Sequence, residues 1–123
     1  MQTGVGVDLV EIQRIEKSLA NPHFLSRVFG EEEIMQYRSR GSGASFLAAS
    51  FCAKEAFAKA LGTGLRGFKL REVQVLRDEL GKPFFHLSGS ALDLARTSGL
   101  EFAVSLSHTK NYAVAFVVAT PIQ

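Results

Sequence analysis

The stretch from residue 45 to residue 61 constrains the fold of this chain more than any other. It is rich in Ala, Leu, Lys and Glu, which all favour helix. Gly62 follows it, and glycine tolerates the left-handed conformation at a helix end. The apolar residues cover more than one narrow stripe of such a helix, so the sequence predicts a long and mostly buried helix.

Three charged residues interrupt this apolar helix, at Lys54, Glu55 and Lys59. Burying a charge is costly unless the charge is paired or bound to a metal. Glu55 and Lys59 lie four residues apart, so they share a helix face and are able to form an ion pair. Two interpretations stay open at this point: an exposed pair on the one hydrated edge of the helix, or part of a functional site.

Length and composition predict one ordinary globular domain over residues 1–123. Of the 123 residues, 46% are hydrophobic and 21% are charged, and a chain of this size buries roughly two thirds of its unfolded surface. Ten Phe residues and no Trp predict a phenylalanine-rich core. The net charge of +2 is too small to indicate a nucleic-acid-binding protein.

The single cysteine, Cys52, excludes an internal disulfide and is typical of a reducing compartment. We interpret it as a small buried apolar side chain. No apolar run is long enough to span a bilayer, and the N-terminal residues lack the basic and apolar regions of a secretory signal. We therefore expect a cytoplasmic protein without a membrane partner.

A strand is predicted over residues 3–10, because apolar residues alternate there with Gly4, Gly6 and Asp8, the period of a half-buried strand. Asp8 therefore shares a strand face with two glycines, which let another element approach the backbone closely. Asp is depleted from strand interiors. Asp8 thus indicates either a functional carboxylate or a cap for the helix that follows.

The rest of the chain alternates between helical and strand patterns. Helices are predicted over residues 11–19, 31–38 and 91–97, with a further turn after Pro22. Strands are predicted over 72–78, 84–87, 102–107 and 112–120, and a short loop over 39–45. The last strand is apolar throughout and is therefore predicted to be central, and strands joined by short loops pair antiparallel. We predict an α+β fold in which an antiparallel sheet packs on the long central helix.

Asp8, Glu55 and His108 stand out at the ends of apolar elements. Two carboxylates from different parts of the chain suit Mg²⁺, which takes one or two protein carboxylates and completes its coordination with phosphate oxygens and water. Lys59, one helical turn after Glu55, is placed to hold a phosphate oxygen. These residues favour a metal-dependent phosphate chemistry.

Hydroxyl and imidazole donors cluster near the end of the predicted strand 102–107, at Ser105, Ser107, His108 and Thr109. Such donors stabilise charge on a transferring phosphoryl group. A loop histidine without a role is the alternative for His108. A Ser-His-Asp hydrolase is a weaker alternative, because the chain has no Gly-x-Ser-x-Gly sequence.

Four motifs occur in order along the chain: Gly4-Val5-Gly6-Val7-Asp8, Ala53-Lys54-Glu55-Ala56-Phe57-Ala58-Lys59-Ala60 with Gly62-Thr63-Gly64, Gly81-Lys82-Pro83, and Ser105-Leu106-Ser107-His108-Thr109. This ordered set resembles the holo-[acyl-carrier-protein] synthases, a family of small 4′-phosphopantetheinyl transferases. The resemblance covers residues 3–119 and implies the fold of that family. Each motif alone is weak, whereas the ordered set in a chain of this length is specific.

The resemblance implies transfer of 4′-phosphopantetheine from coenzyme A to a serine of apo-acyl carrier protein, as in fatty acid biosynthesis, with adenosine 3′,5′-bisphosphate as the other product. Asp8 and Glu55 match the family's carboxylates for Mg²⁺, and Lys59 matches a lysine near the coenzyme pyrophosphate. Mg²⁺ and Lys59 would neutralise charge on the leaving phosphate. The attacking serine belongs to the carrier, and Glu55 or a metal-bound water is the expected base.

The same motifs imply the residues that contact coenzyme A. His108 matches the family's histidine beside the coenzyme, which makes Glu55, Lys59 and His108 the expected catalytic residues. Other residues fall in segments that border the coenzyme: Gly62, Gly64, Lys82, Pro83, Ser107 and Thr109. Members of this small type are usually homotrimers with sites between neighbouring subunits, so a homotrimer is expected here.

Arg14, Lys17 and Arg27 surround an apolar stretch near the N-terminus. Acyl carrier proteins are acidic, and complementary charge speeds encounter and fixes the docking register. The resemblance implies that an arginine matching Arg14 contacts the carrier. These three residues are therefore the expected carrier-binding residues.

Ser50 departs from the family pattern. Many relatives carry an arginine at this place, just before the aromatic residue that opens the Ala-Lys-Glu-Ala motif, and that arginine can help to hold a coenzyme phosphate. Compensation by Arg38, Arg40 or Arg66 is our hypothesis for this chain.

Other functions stay open from the sequence. One is the same chemistry on a polyketide-type carrier, and another is a non-catalytic module that binds coenzyme A or a carrier. The joint presence of Asp8, Glu55, Lys59 and His108 argues against the second. The ordered motifs also disfavour a purely structural domain.

Overall fold

The computed structural model describes residues 3–40 and 43–123. Its strands are β1 (Gly4–Glu11), β2 (Val73–Arg77), β3 (Pro83–Leu87), β4 (Leu100–His108) and β5 (Tyr112–Pro121). Its helices are α1 (Ile12–Ser18), α2 (Phe24–Val28), α3 (Glu31–Arg40), α4 (Gly43–Leu61) and α5 (Gly89–Ser98), with a 3₁₀ turn over Leu70–Glu72. The predicted α+β fold class is confirmed.

The element boundaries differ from the predicted ones in two places that matter for function. Helix α3 continues to Arg40 and α4 begins at Gly43, so most of the predicted loop 39–45 is helical, while residues 41 and 42 lie outside the described residues. Arg38 and Arg40 occupy the last turn of α3, where the helix dipole favours positive charge. Strand β4 includes His108, one residue beyond the predicted strand 102–107.

The strands form a three-stranded sheet in the order β1-β5-β4 and a separate β2-β3 hairpin, all antiparallel. The apolar strand β5 is central, as predicted, so β1 and β4 are opposite edges of the larger sheet. Asp8 of β1 pairs with Ala115, and His108 of β4 pairs with Ala113. The register therefore places the two predicted functional strands on either side of β5.

Helix α4 lies across the inner face of this sheet. Ala113, Ala115 and Ala119 of β5 are fully buried, and these small side chains let the helix approach closely. Strand β1 approaches α4 more closely still at Gly6, because a β carbon added there would collide with the carbonyl oxygen of Ala56. No helix in the described ranges is long and apolar enough to cross a membrane.

An aromatic cluster joins the hairpin to the larger sheet. Phe57 of α4 packs against Phe102 of β4, with ring centroids 4.5 Å apart, and against Phe85 of β3 at 5.3 Å. Phe68 covers the same ring edge-on at 5.8 Å. The predicted phenylalanine-rich core is present, and one face of α4 thereby holds both sheets.

Because Gly6 leaves no room for a methyl group, Gly6→Ala should lower the free energy of unfolding by at least about 2 kcal/mol. The helix or the strand has to shift, since the colliding atom is backbone oxygen. Urea unfolding followed by circular dichroism measures the change. Leu80→Ala, at a side chain that is 95% exposed, is the control and should change stability by less than about 0.5 kcal/mol. Equal stability of the two variants would contradict the close approach.

Candidate active site

Asp8 faces the long helix from the edge strand β1. It shares the inner face of β1 with Gly6, whose backbone packs on Ala56 of α4, and its side chain is 21% exposed. The alternative role of Asp8 as a helix cap is wrong, because Glu11 is the N-cap residue of α1 and forms no side-chain cap hydrogen bond. Asp8 is thus a partly buried carboxylate presented to α4.

Lys59 of α4 reaches across to the same strand. Its Nζ donates a hydrogen bond to the carbonyl oxygen of Val7 at 2.9 Å and lies 3.4 Å from Oδ1 of Asp8. The ion pair that helical spacing allows between Lys59 and Glu55 is absent from the described residues. The lysine instead extends towards β1, where a carboxylate and a carbonyl group both accept its hydrogens.

Glu55 completes a cluster with Asp8 and Lys59. Burial raises the pKa of Glu55, the negative charge of Asp8 raises it further, and Lys59 acts in the opposite direction. Two carboxylates thus share a site with one ammonium group, whose side chain is 55% exposed. Such a cluster favours an additional cation.

The donor set fits Mg²⁺. Hard carboxylate oxygens are the ligands that this ion prefers, and it binds proteins through one or two carboxylates while keeping positions for phosphate and water. The described residues contain no group of three or more His, Cys, Asp or Glu side chains placed to hold one metal ion together, and Mg²⁺ needs only one or two protein carboxylates. The ammonium group of Lys59 lies 3.4 Å from Oδ1 of Asp8, and the Asp8 side chain is 21% exposed.

Cys52 lies behind this cluster and is fully buried. Its Sγ donates a hydrogen bond to the carbonyl oxygen of Ala113 at 3.4 Å. Burial, followed by the charge of Asp8, raises the pKa of the thiol to about 12. The cysteine therefore remains a protonated packing residue, in agreement with its predicted role.

A second polar site lies at the other edge of the sheet. Ser107 and His108, at the end of β4, line a pocket with Arg40, Phe46 and Arg77. Nδ1 of His108 is 3.2 Å from the carbonyl oxygen of residue 109, and the ring is exposed. The imidazole therefore faces solvent at the mouth of the pocket.

The predicted coenzyme-binding residues fall into two groups within one chain. Gly62 and Gly64 adopt positive φ angles of 90° and 63° in the turn after α4, which starts beside Lys59. Pro83 pairs with Arg77 in the β2-β3 hairpin, and Lys82 precedes it in the connection between these two strands. Thr109 accepts hydrogen bonds through Oγ1 from the backbone of residues 111 and 112, so it shapes the β4–β5 turn.

The predicted carrier-binding residues are all exposed. Arg14 and Lys17 lie on α1, whose buried side chains include Ile12 and Ile15, and Arg27 lies on α2. Burial of one face of α1 leaves the basic face in solvent. The structure thus leaves these cations free to meet a partner.

Two buried polar pairs were not predicted from the sequence. Nη1 of Arg77 donates a 2.7 Å hydrogen bond to Oγ of Ser50, and Nζ of Lys54 lies 2.6 Å from Oε1 of Glu33. The signal for Arg77 was its position on the apolar face of a predicted strand. Glu33 gave a weaker signal, because it ends an acidic run that matches the first turn of a helix.

Comparisons with known proteins agree with this geometry. A family model described as the 4′-phosphopantetheinyl transferase superfamily matches residues 4–117. Holo-[acyl-carrier-protein] synthase of Clostridium botulinum (strain Eklund 17B / Type B) is 41% identical over 119 residues, which cover 96% of this chain and 97% of the relative.

Solved structures give the same result. The crystal structure of holo-[acyl-carrier-protein] synthase from Neisseria meningitidis matches with a TM-score of 0.87 and 35% identity, over 95% of this chain and 97% of the other. The Helicobacter pylori holo-[acyl-carrier-protein] synthase in complex with coenzyme A matches with a TM-score of 0.81 and 28% identity, over 94% and 99% of the two chains. The resemblance drawn from the motifs is confirmed, and the chain belongs to the 4′-phosphopantetheinyl transferase superfamily.

Proposed function

We propose that this chain transfers the 4′-phosphopantetheine group of coenzyme A to a serine of apo-acyl carrier protein and releases adenosine 3′,5′-bisphosphate. The observation that carries the proposal is the meeting of Asp8, Glu55 and Lys59 at the edge of the sheet, in a chain of this superfamily. The names of the relatives support an acyl carrier protein as acceptor, and the complex of the Helicobacter pylori relative supports coenzyme A as donor.

Asp8 and Glu55 would hold Mg²⁺, which when bound supplies positive charge to the pyrophosphate of coenzyme A. The serine oxygen of the carrier forms a bond to the phosphorus that bears pantetheine, and the bond from that phosphorus to the bridging oxygen breaks. The leaving group carries its negative charge away on adenosine 3′,5′-bisphosphate. Lys59, which is 55% exposed, is free to turn from Asp8 to a phosphate oxygen.

Glu55 is our proposed base for the serine proton. Carboxylates are common general bases in enzymes, and Glu55 lies in the same cluster as Asp8 and Lys59. His108 is proposed to contact the coenzyme from the opposite edge of the sheet. Because the serine of the carrier is the nucleophile, the transfer needs no nucleophile from this chain.

A homotrimer with sites between subunits is part of the proposal. Val5, Val7 and Leu9 on the outer face of β1 are 60%, 53% and 63% exposed, and Phe116 of β5 is 46% exposed. A contiguous apolar sheet face of this kind is typical of a protein interface. Asp8 and His108 lie on opposite edge strands of the three-stranded sheet, and a head-to-tail ring of single-domain copies brings opposite edges of neighbours together.

One mass spectrum tests the reaction. Apo-acyl carrier protein incubated with the chain, coenzyme A and Mg²⁺ should gain about 340 Da, the mass of one phosphopantetheine group, and should gain nothing with EDTA. A carrier panel then separates a fatty acid carrier from a polyketide-type carrier. Binding of coenzyme A by the folded protein without a mass gain on any carrier would contradict the transferase and favour the binding module.

Carrier docking provides a separate prediction. Arg14→Glu should raise KM for the acidic carrier about tenfold and leave kcat within about twofold, because a charge at the rim of an interface mainly affects encounter and orientation. Arg96→Glu on α5, also exposed, makes the same change of net charge and serves as the control. Steady-state kinetics with varied carrier measure both variants, and an unchanged KM in Arg14→Glu would remove α1 from the docking surface.

A further inference from the structure

A polar pocket lies between α2, the first turn of α3 and the 3₁₀ turn that precedes β2. Its volume is about 510 Å³, which falls within the size range of small-molecule sites. None of its lining residues is among those that we assign to the metal, the coenzyme or the carrier. The proposed transfer therefore leaves this pocket without a role.

Gln74 of β2 presents its side-chain amide to the pocket. The residue is 8% exposed, and its Oε1 accepts hydrogen bonds from the backbone nitrogens of Glu32 at 2.9 Å and Glu33 at 3.1 Å. These two bonds fix the orientation of the amide, because only its oxygen is able to accept them.

The nitrogen of the same amide, Nε2, donates to no group of the described residues. No fully buried side-chain nitrogen or oxygen in the described ranges lacks a partner, so Nε2 is open to the pocket that Gln74 lines. Buried polar groups in proteins are normally hydrogen-bonded. A nearly buried amide nitrogen with both hydrogens available thus points to a ligand oxygen.

Charges of both signs line the pocket without pairing. Arg71 lies in the 3₁₀ turn and Glu32 in the first turn of α3, and neither forms a salt bridge within the described part of the chain. Glu72, the neighbour of Arg71, already accepts hydrogen bonds from the backbone nitrogens of Lys69 at 2.9 Å and Ser90 at 3.2 Å. One guanidinium group and one carboxylate therefore remain available to a ligand that carries both charges.

An apolar groove between α2 and α3 continues from the pocket. The two cavities share Ser26 and Ile34, and Leu25 and Met35 also line the groove. Met35 is 69% exposed, so its side chain is accessible to a ligand. A polar pocket with one apolar extension favours a small molecule that has a charged end and an apolar branch.

We propose that this pocket binds a free α-amino acid with an apolar side chain, such as leucine, in its zwitterionic form. Arg71 and Nε2 of Gln74 hold the carboxylate, and Glu32 holds the ammonium group. The apolar side chain lies against Ile34 in the groove. The planar fork of arginine matches a carboxylate, and charged groups of both signs orient a dipolar ligand.

Titration calorimetry with the full chain tests the choice of ligand and needs no turnover. L-Leucine should bind with a dissociation constant below about 1 mM. N-Acetyl-leucine lacks the ammonium group and leucinamide lacks the carboxylate, so each should bind at least about tenfold more weakly. Glycine should lose a similar factor, because it has no side chain to bury. Neither heat nor a thermal shift with leucine up to about 10 mM, or equal affinity for leucine and its two blocked forms, overturns the proposal.

Matched variants test the assigned residues. Arg71→Gln and Glu32→Gln change exposed side chains, and each should weaken leucine binding at least about tenfold, as expected for a lost charged hydrogen bond. Arg71→Gln should leave the affinity for leucinamide within about twofold, because leucinamide has no carboxylate to lose. Arg96→Gln on α5 and Glu16→Gln on α1 make the same changes at other exposed positions and should bind leucine as the wild type does. Unchanged leucine affinity in either pocket variant overturns the assignment.

NMR reports the amide contact directly. The ¹⁵N and ¹H signals of the Gln74 side-chain amide should shift as leucine is added, since Nε2 gains an acceptor. The same signals should stay in place when acetate or methylammonium is added at equal concentration, because each carries only one of the two charges. Unshifted Gln74 signals at saturating leucine overturn the proposal, even if leucine binds elsewhere on the chain.

Discussion

Asp8→Asn and Glu55→Gln should each lower kcat for phosphopantetheine transfer by at least ~10²-fold, the usual loss when a group that stabilises transition-state charge is removed. Both carboxylates lie near the ammonium group of Lys59. Each variant removes one of the two carboxylates that we propose as Mg²⁺ ligands, so the Mg²⁺ concentration for half-maximal rate should rise as well. Transfer assays across a magnesium titration measure both effects.

Matched controls separate the cluster from a general loss of negative charge. Asp93→Asn on α5 and Glu31→Gln on α3 make the same chemical changes at exposed positions, and each should retain activity within about twofold. Thermal unfolding shows whether the active-site variants are folded. If both retain more than about a tenth of the wild-type rate at every magnesium concentration, the cluster is not the reaction centre, since loss of a stabilising group costs far more.

The coupling between the two carboxylates has its own readout. Burial raises the pKa of Glu55 first, and the charge of Asp8 adds to that effect. In metal-free Asp8→Asn protein the added effect disappears, so the pKa of Glu55 should fall towards its ordinary value while staying raised by burial. Carbon-detected NMR titration of the Glu55 carboxyl group checks this, and an unchanged pKa would mean that the two groups do not interact.

This cluster was predictable because periodicity specifies faces. Apolar residues alternate with Gly6 and Asp8 along β1, which placed Gly6 and Asp8 on the strand face that meets another element. Helical spacing placed Glu55 and Lys59 near each other. Periodicity does not specify partners, however. Helical spacing allowed Glu55 as a partner of Lys59, whereas the approach of β1 to α4 brings Oδ1 of Asp8 to 3.4 Å from Nζ of Lys59.

Contacts between distant segments account for what the sequence did not predict. Arg77 meets Ser50 because the β2-β3 hairpin packs on α4, and no local pattern encodes that docking. The sequence patterns also did not predict that Lys59 and His108 lie apart. This separation follows from the insertion of β5 between β1 and β4, so motifs that suggested a single site lie at two edges of a sheet.

Glu33→Gln should lower the free energy of unfolding by about 3–5 kcal/mol, because it leaves the ammonium group of Lys54 buried and unpaired. Both side chains are fully buried, with Nζ of Lys54 2.6 Å from Oε1 of Glu33. Lys54 also donates to the carbonyl oxygens of Leu70 and Val73 at 3.1 and 2.6 Å, and Glu33 accepts from the backbone nitrogen of Val75 at 2.9 Å. Urea unfolding measures the loss, and Glu31→Gln in the same helical turn should leave stability within about 0.5 kcal/mol.

The deficit of Glu33→Gln should depend on pH in a defined direction. Burial lowers the pKa of Lys54 to about 8, and the attraction of Glu33 limits that decrease. Without Glu33 the pKa of Lys54 falls further. Below pH 8 the folded variant therefore binds fewer protons than the folded wild type, whereas Lys54 is equally protonated in the two unfolded chains. Stability then rises faster with pH in the variant, and its deficit shrinks as the pH approaches 8. A constant deficit between about pH 6 and pH 9 would contradict this titration.

A double variant shows whether the pair acts as a unit. Lys54→Met alone leaves the Glu33 carboxylate buried without its cation, and burial already raises the pKa of Glu33, so this variant should also be destabilised by a few kcal/mol. In Glu33→Gln with Lys54→Met neither charge remains, and the loss should be clearly smaller than the sum of the single losses. Since the pair joins α3 and β2 to the helix that carries Glu55, the double variant should recover transfer activity together with stability. Strictly additive losses would show that the two side chains stabilise the fold independently.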